Sequence, residues 1–143
     1  MSRVDFYVLS QPAPDARQKF ACRLAEKAVE QGNRVYLQTA TLAEAQRLDD
    51  LLWTFNDRSF LAHELAKDGA PSHERVMVLV GHGPAPASHR QLLINLTDTL
   101  PAEVNDFTRI AEIVDPDPHR KQLSRDRYKA YRDRGCELES HNI

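Results

Sequence analysis

The chain has 143 residues, of which 41% are hydrophobic and 28% charged, and its formal net charge is −2. These values are typical of a globular protein that can bury a core without disulfides or metals, and they argue against a general affinity for nucleic acid. No apolar run reaches the roughly 20 residues that span a bilayer, and the N-terminus shows no signal-peptide pattern. We therefore expect a cytoplasmic protein without membrane association, whose two cysteines, Cys22 and Cys136, are reduced.

The charges are distributed unevenly along the chain. Residues 119–134 carry seven Lys or Arg against two Asp, whereas the rest of the chain carries twelve Lys or Arg against nineteen Asp or Glu. A basic segment on an acidic body favours a local site for an anionic partner, while the acidic remainder should repel DNA.

The first half of the chain alternates between strand-like and helical patterns. Residues 4–9 are β-branched and aromatic and predict a strand, and residues 15–32 follow a helical period that ends at a glycine. A second short strand is predicted at 34–38. A capping box then opens a helix over residues 41–53. This order, with short loops, is typical of a parallel α/β arrangement.

The second half contains one irregular segment, three predicted strands and two predicted helices. In chain order these are 56–73 (irregular), 76–80 and 92–96 (strands), 101–107 (a short helix), 110–114 (the final strand) and 119–134 (the last helix). The run 76–80 has five consecutive apolar residues, which is typical of a central strand buried on both faces. We find no linker or repeat, so we expect a single α/β domain over residues 1–143, with a mostly parallel sheet flanked by helices.

Motifs of nucleotide-binding and catalytic sites are missing from the sequence. The turn at 10–15 has no glycine and two prolines, so it lacks the phosphate-binding glycine loop of dinucleotide sites. No hydrolase or P-loop motif is present. The histidines, which show no metal-ligand spacing and are expected to be solvated, are His63, His73, His82, His89, His119 and His141. We therefore predict no catalytic residue, no cofactor and no metal.

The turn Gly81–His82–Gly83 leaves one alternative open, because it follows a buried strand. Its backbone amides could cradle an anion, as in an enzyme or a nucleotide-binding protein. The other interpretation is a glycine turn with a surface histidine, which the following prolines favour.

A stripe of basic and aromatic residues lies on the last predicted helix. Arg125, Tyr128, Lys129 and Arg132 stand at i, i+3, i+4 and i+7, so they share one helix face. Three cations around an aromatic ring suit an acidic peptide with an aromatic or apolar anchor. Two alternatives remain: a solvated basic face with a core tyrosine, and direct binding of single-stranded nucleic acid, which the few aromatics and the negative net charge disfavour.

Aromatic residues also cluster around the end of the second helix. Trp53 is followed by Phe55, Phe60 and Leu61. Trp and Phe anchor protein–protein contacts when they are partly exposed, and they belong to the core when they are not. The sequence leaves both interpretations open.

These features resemble the chi subunit family of bacterial DNA polymerase III. The resemblance runs from about residue 4 to residue 135, and its most specific parts are Ala-Gln-Arg-Leu-Asp-Asp-Leu-Leu-Trp at 45–53 and Lys-Gln-Leu-Ser-Arg-Asp-Arg-Tyr-Lys-Ala-Tyr-Arg at 121–132. It implies a Rossmann-like α/β domain that is not an enzyme and serves as an adaptor in DNA replication.

The resemblance also implies the partners of the basic helix. Members of this family bind the acidic, phenylalanine-ended C-terminal tail of the single-stranded-DNA-binding protein. Arg125, Tyr128 and Lys129 match the tail-binding positions, with Arg132 beside them. Residues 115–118 are shorter and richer in proline than in similar proteins, and no apolar residue there matches the one expected to complete the phenylalanine pocket.

A second surface follows from the same resemblance. Members of the family pair with the psi subunit, and through it with the clamp loader, and a helicase-like protein competes for that surface. Trp53 and Phe60 match the aromatic positions that face psi, and we place Leu61 with them.

Overall fold

The computed structural model describes residues 2–55, 61–66, 71–72 and 74–143. In these residues, seven strands form one sheet with three α-helices against it. In chain order the elements are β1 Arg3–Val8, α1 Ala16–Glu30, β2 Val35–Gln38, α2 Leu42–Thr54, β3 His63–Leu65, β4 Val78–Gly81, β5 Leu92–Asn95, β6 Arg109–Val114, α3 Pro118–Asp133 and β7 Glu137–Asn142. Single 3₁₀ turns lie at Ala87–His89 and Val104–Asp106.

The spatial order of the sheet is β3-β4-β2-β5-β6-β1-β7, and every neighbouring pair is parallel. Successive residues of a strand point to opposite faces, so the sheet separates two hydrophobic cores. Helices α1 and α2 cover one face, and α3 covers the other. The predicted Rossmann-like α/β fold with a mostly parallel sheet is therefore confirmed.

Two strands of the described sheet were not predicted, and both lie at its edges. β3 is only three residues long, inside the segment expected to be irregular. β7 follows the helix that was expected to end the fold, so the prediction that 110–114 is the final strand is wrong. Its sequence, Glu-Leu-Glu-Ser-His-Asn, is polar because an edge strand remains largely exposed.

Local signals explain where α3 begins and ends. The Asp117 side chain accepts a hydrogen bond from the backbone N–H of Arg120, and Pro118 occupies the first turn, where its missing N–H costs nothing. Gly135 adopts φ +82°, the left-handed conformation that glycine tolerates just past a helix.

A buried polar network fastens α3 to the sheet. Glu112 of β6 is fully buried, and its carboxylate accepts from Arg127 Nε at 3.2 Å, Tyr131 Oη at 2.6 Å and Asn95 Nδ2 at 2.9 Å. Arg127 also donates to Ser124 Oγ at 3.2 Å. Because Arg127 and Tyr131 fix the inward side of the helix, the opposite side faces solvent. No helix in the described part of the chain combines the length and apolar character needed to cross a membrane.

Candidate functional site

A cavity of about 270 Å³ opens between α3 and the sheet, beside the edge strand β7. Its apolar part is formed by Phe6 and Val8 of β1 and by Val114 at the end of β6. An apolar space of about 150 Å³ admits a benzene ring, so this one is large enough for an aromatic side chain. We call it the tail cavity, and its rim is formed by residues of α3 together with Ser140 of β7.

The rim of the tail cavity brings together two of the four predicted stripe residues. Arg125 is exposed and Tyr128 is half-buried, and both line the opening together with Lys121. Sequence reasoning missed Lys121, although it stands one turn before Arg125 and so continues the stripe. Two cations beside an apolar floor can bind a carboxylate next to an aromatic side chain.

The other two stripe residues lie farther along α3. Lys129 and Arg132 are exposed and do not line the cavity. None of the four cations on this side of α3 forms an ion pair with any residue that the structure describes; they are Lys121, Arg125, Lys129 and Arg132. The stripe is therefore a surface of uncompensated positive charge. It can attract the acidic residues of an extended peptide whose end enters the cavity.

The apolar lining of the cavity comes from segments outside residues 115–118. Val114 stands just before that segment, and Val8 lies beside it because β1 and β6 pair in register, with Val8 opposite Val114. Tyr128 packs on Phe6 with 5.4 Å between ring centroids, which fixes the tyrosine ring against the floor. Residues distant in sequence thus form the apolar part of this cavity.

The second predicted surface is described only in part. Trp53 is 58% exposed at the end of α2, and its ring contacts the ring of His63 with 4.6 Å between centroids. Leu61 is only 5% exposed, so its side chain belongs to the hydrophobic core, and its placement on a contact surface is corrected. Phe60 lies outside the described residues. Among the described residues, Trp53 is the predicted contact residue of this surface whose side chain is exposed.

The turn at Gly81–Gly83 has a packing role. A Cβ added at Gly81 would collide with the Tyr36 hydroxyl, and that hydroxyl donates to the Gly83 carbonyl at 2.7 Å. Burial raises the pKa of Tyr36 to about 12. These contacts support the interpretation of a glycine turn that accommodates a tyrosine.

The prediction that the histidines are solvated is wrong for two of them. His89 is fully buried: its Nε2 donates to the Val76 carbonyl at 2.7 Å, and its Nδ1 accepts from Ser88 Oγ at 2.7 Å. Burial lowers the pKa of His89. The His63 side chain is almost completely buried beside Trp53, and His73 lies outside the described residues.

Among the described residues, one group has metal-ligand spacing. The ligand atoms of Asp5, Glu139 and His141 lie within 4.8 Å of one another. Asp5 is fully buried and already forms ion pairs with Arg3 and Arg109, each at 3.1 Å. Two guanidinium charges on the same carboxylate oppose a cation, so this arrangement is better explained as an ion-pair cluster that joins β1, β6 and β7.

The family model and the curated relatives that match this chain all point to one protein family. The family model described as "DNA polymerase III chi subunit, HolC" matches residues 1–139. Three curated relatives are each named DNA polymerase III subunit chi. The protein from Pseudomonas aeruginosa is 44% identical and aligned over 100% of this chain and 98% of its own. The Escherichia coli protein is 30% identical, with 96% of each chain covered. The Haemophilus influenzae protein is 29% identical, over 96% of this chain and 95% of its own.

A solved structure supports the fold alone. The crystal structure of T4 UvsW superimposes with a TM-score of 0.66 at 9% sequence identity. The match covers 98% of this chain and 41% of the UvsW chain. At such low identity the likeness carries no functional information.

Proposed function

Because the chain belongs to the DNA polymerase III chi subunit family, we propose that it is a non-catalytic adaptor of the cytoplasmic DNA replication machinery. One of its surfaces binds the C-terminal tail of the single-stranded-DNA-binding protein, and the other pairs with the psi subunit and through it with the clamp loader. A helicase-like protein is an alternative occupant of the second surface.

The tail cavity is the observation that carries the proposal. It places an apolar floor of Phe6, Val8 and Val114 under a rim with two cations, Lys121 and Arg125. A peptide ending in phenylalanine presents an aromatic ring and a free carboxylate on the same residue. The ring fits the floor, and the carboxylate meets the cations at the rim. The acidic residues before the phenylalanine would follow the stripe toward Lys129 and Arg132.

Ionic contacts at an exposed rim are individually weak and are screened by salt. We therefore expect a single tail to bind with micromolar affinity and to weaken as salt rises. Several tails on an oligomeric partner would raise the effective affinity through avidity.

The test is a titration of a labelled acidic peptide ending in Asp-Phe with a free carboxylate. Arg125→Ala should weaken binding at low salt by up to about fivefold, because an ion pair at an exposed rim contributes roughly 0.2–1 kcal/mol. Amidation of the peptide terminus should weaken binding in the same way.

The matched control is Arg23→Ala, which removes the same charge from an exposed position on α1, on the opposite face of the sheet. It should bind the peptide as the wild type does. Unchanged binding after both Arg125→Ala and Tyr128→Ala would exclude the cavity as the tail site. Equal affinity for bare single-stranded DNA would favour direct nucleic-acid binding instead.

A further inference from the structure

A larger cavity, of about 620 Å³, lies at the carboxyl ends of β2 and β5, between the first turn of α1 and one side of α2. Thr39 and Leu96, which directly follow these two strands, contribute to its lining. In open parallel α/β sheets, ligands bind in the crevice at this end of the strands. We call this cavity the carboxyl-edge crevice. It shares no lining residue with the tail cavity, although Arg120 in its lining is the chain neighbour of Lys121 at the rim of the tail cavity.

Arg17 lines the carboxyl-edge crevice and is only 6% exposed. Its Nε donates to the Ile113 carbonyl at 3.2 Å. Among the residues that the structure describes, no carboxylate forms an ion pair with this guanidinium, and no acceptor is bonded to its two terminal nitrogens. A guanidinium stays charged in proteins, and its terminal nitrogens, which are open to the crevice, have no counter-ion among the described residues.

The surroundings of Arg17 do not compensate its charge at short range. Burial and then the positive charge of Arg120 lower the pKa of Arg17. The carboxylates of Asp115, Asp98 and Glu112 act in the opposite direction from beyond ion-pair distance, and Glu112 is itself paired with Arg127. Asp115 is itself paired with Arg120 at 2.9 Å. A ligand anion could therefore supply the charge that the described protein groups do not.

The rest of the lining limits what such a ligand can be. A guanidinium with two available terminal nitrogens forms a fork that matches the two oxygens of a phosphate or a carboxylate. The lining also contains four carboxylates, from Asp15, Glu44, Asp50 and Asp98, and two further cations, Arg47 and Arg120. These carboxylates outnumber the three arginines of the lining, so a second negative group on the ligand would be repelled. Leu48 and Leu51 add an apolar side for the body of a ligand. The crevice thus suits one anionic group on a molecule with hydroxyl or amino donors.

We propose that the carboxyl-edge crevice binds a small molecule that carries a single oxyanion group, a phosphate monoester or a carboxylate, with Arg17 as its anchor. The volume lies within the roughly 300–1,000 Å³ of small-molecule sites. A di- or triphosphate is disfavoured by the acidic lining, so this site is distinct in character from those that hydrolyse nucleoside triphosphates. The proposal does not depend on the tail cavity.

The test measures thermal unfolding and calorimetric binding of the full chain at constant ionic strength. The probes are inorganic phosphate, adenosine monophosphate and lactate, with sodium chloride, adenosine and adenosine triphosphate as comparisons. Adenosine monophosphate or lactate should raise the unfolding temperature, adenosine should not, and adenosine triphosphate should act more weakly than the monophosphate. A response to phosphate and the monophosphate identifies a phosphate monoester, and a response to lactate alone identifies a carboxylate.

The decisive variant is Arg17→Met, which keeps a long side chain and removes the buried charge. It should lose the response to the oxyanions while its unfolding temperature without ligand is retained or rises. A purely structural arginine would instead lower that temperature. Arg17→Lys keeps the charge but lacks the two terminal nitrogens of the guanidinium, so it should respond to the oxyanions more weakly than the wild type. It is the test variant if Arg17→Met does not fold.

Arg23→Met, on the exposed side of the same helix, should respond as the wild type does. Arg17→Met should also bind the acidic tail peptide normally, so failure of this proposal and failure of the proposed function are separable. A wild type that responds to no oxyanion beyond sodium chloride, or an Arg17→Met variant that responds like the wild type, would overturn the proposal.

Discussion

Tyr128 and Tyr131 stand three residues apart on α3 and have different environments. The Tyr131 side chain is completely buried, and its hydroxyl donates to Glu112 at 2.6 Å. Tyr128 is half-buried, with its ring on Phe6 and part of its surface in the tail cavity. The sequence left open which tyrosine belongs to the core. Tyr131 does, so Tyr128 is the ring available to a ligand.

Asp5 gives a prediction for acid stability. Burial acts to raise the pKa of Asp5, but hydrogen bonds from His141, Arg3 and Arg109 outweigh it, and the pKa of Asp5 lies below its ordinary value of 3.8. A carboxyl whose pKa is lower in the folded state stabilises the fold above its unfolded pKa and loses that contribution as pH falls through the folded value. We expect the free energy of unfolding to decline as pH falls below about 4.

Urea unfolding between pH 3 and pH 7 measures this decline. The Asp5→Asn variant should be less stable than the wild type at neutral pH, and its stability should change less at the acidic end. Glu139→Gln is the control, because this exposed carboxylate is hydrogen-bonded to Arg3 and not to Asp5. Parallel profiles of unfolding free energy against pH for the wild type and Asp5→Asn would show that protonation of Asp5 does not cause the decline.

At the scale of the element, α3 depends on the pair between Arg127 and Glu112. The guanidinium and the carboxylate lie 3.1 Å apart, and both side chains are almost completely buried. Removing one partner of a buried pair leaves an uncompensated charge, which typically costs about 3–5 kcal/mol. We expect Arg127→Ala to lower the free energy of unfolding by about that amount, measured by urea denaturation.

A second substitution separates lost charge from lost packing. Burial raises the pKa of Glu112, so its ionised form is the costly one once Arg127 is gone. Adding Glu112→Gln to Arg127→Ala should therefore recover part of the lost stability, since glutamine can still accept from Tyr131 and Asn95. A double variant that is less stable than Arg127→Ala would indicate that packing, and not charge, dominates.

For the whole molecule, the two proposed surfaces lie at opposite edges of the sheet. Trp53 contacts His63 of β3, whereas the tail cavity reaches Ser140 of β7. The two edge strands are separated by six inter-strand spacings of about 4.8 Å, or about 29 Å in total. The helices that carry Trp53 and Tyr128 also cover opposite faces. Such a separation lets two partners bind at once, as an adaptor requires.

Independent surfaces predict additive effects. Trp53→Ala should reduce binding of the psi subunit and leave the tail peptide titration unchanged, and Arg125→Ala should do the reverse. The double variant should lose each interaction to the same extent as the corresponding single variant, because the free-energy effects of substitutions far apart usually add. Calorimetry with each partner, alone and with the other present, measures this. Leu42→Ala, at an exposed apolar position at the start of α2, is the control. Competition between psi and the tail peptide would contradict the bridging role.

Most of the α/β order was predictable because strong local signals accompany it. Thr41 Oγ1 accepts from the Glu44 backbone N–H at 3.2 Å, as the predicted capping box requires. The Glu44 carboxylate completes the cap on the residue before it, where it accepts from the Ala40 backbone N–H at 3.1 Å. The basic stripe of α3 follows from helical spacing alone. Edge strands carry weaker signals, because they are short or half-solvated and their pairing is decided by distant partners. β7 pairs with β1 more than 130 residues away, a contact that no local pattern indicates.

By itself, the sequence determined the parallel α/β class, the family resemblance and the basic stripe of α3 that includes Arg125, because these depend on periodicity and on residues adjacent in the chain. Only the tertiary structure decided which residues surround the tail cavity, since its floor joins β1 and β6 from opposite ends of the sequence. Only the tertiary structure showed that Leu61, His89 and Arg17 are buried. Burial is a property of the assembled chain, and a charge without a counter-ion is recognised only when every neighbouring element is in place.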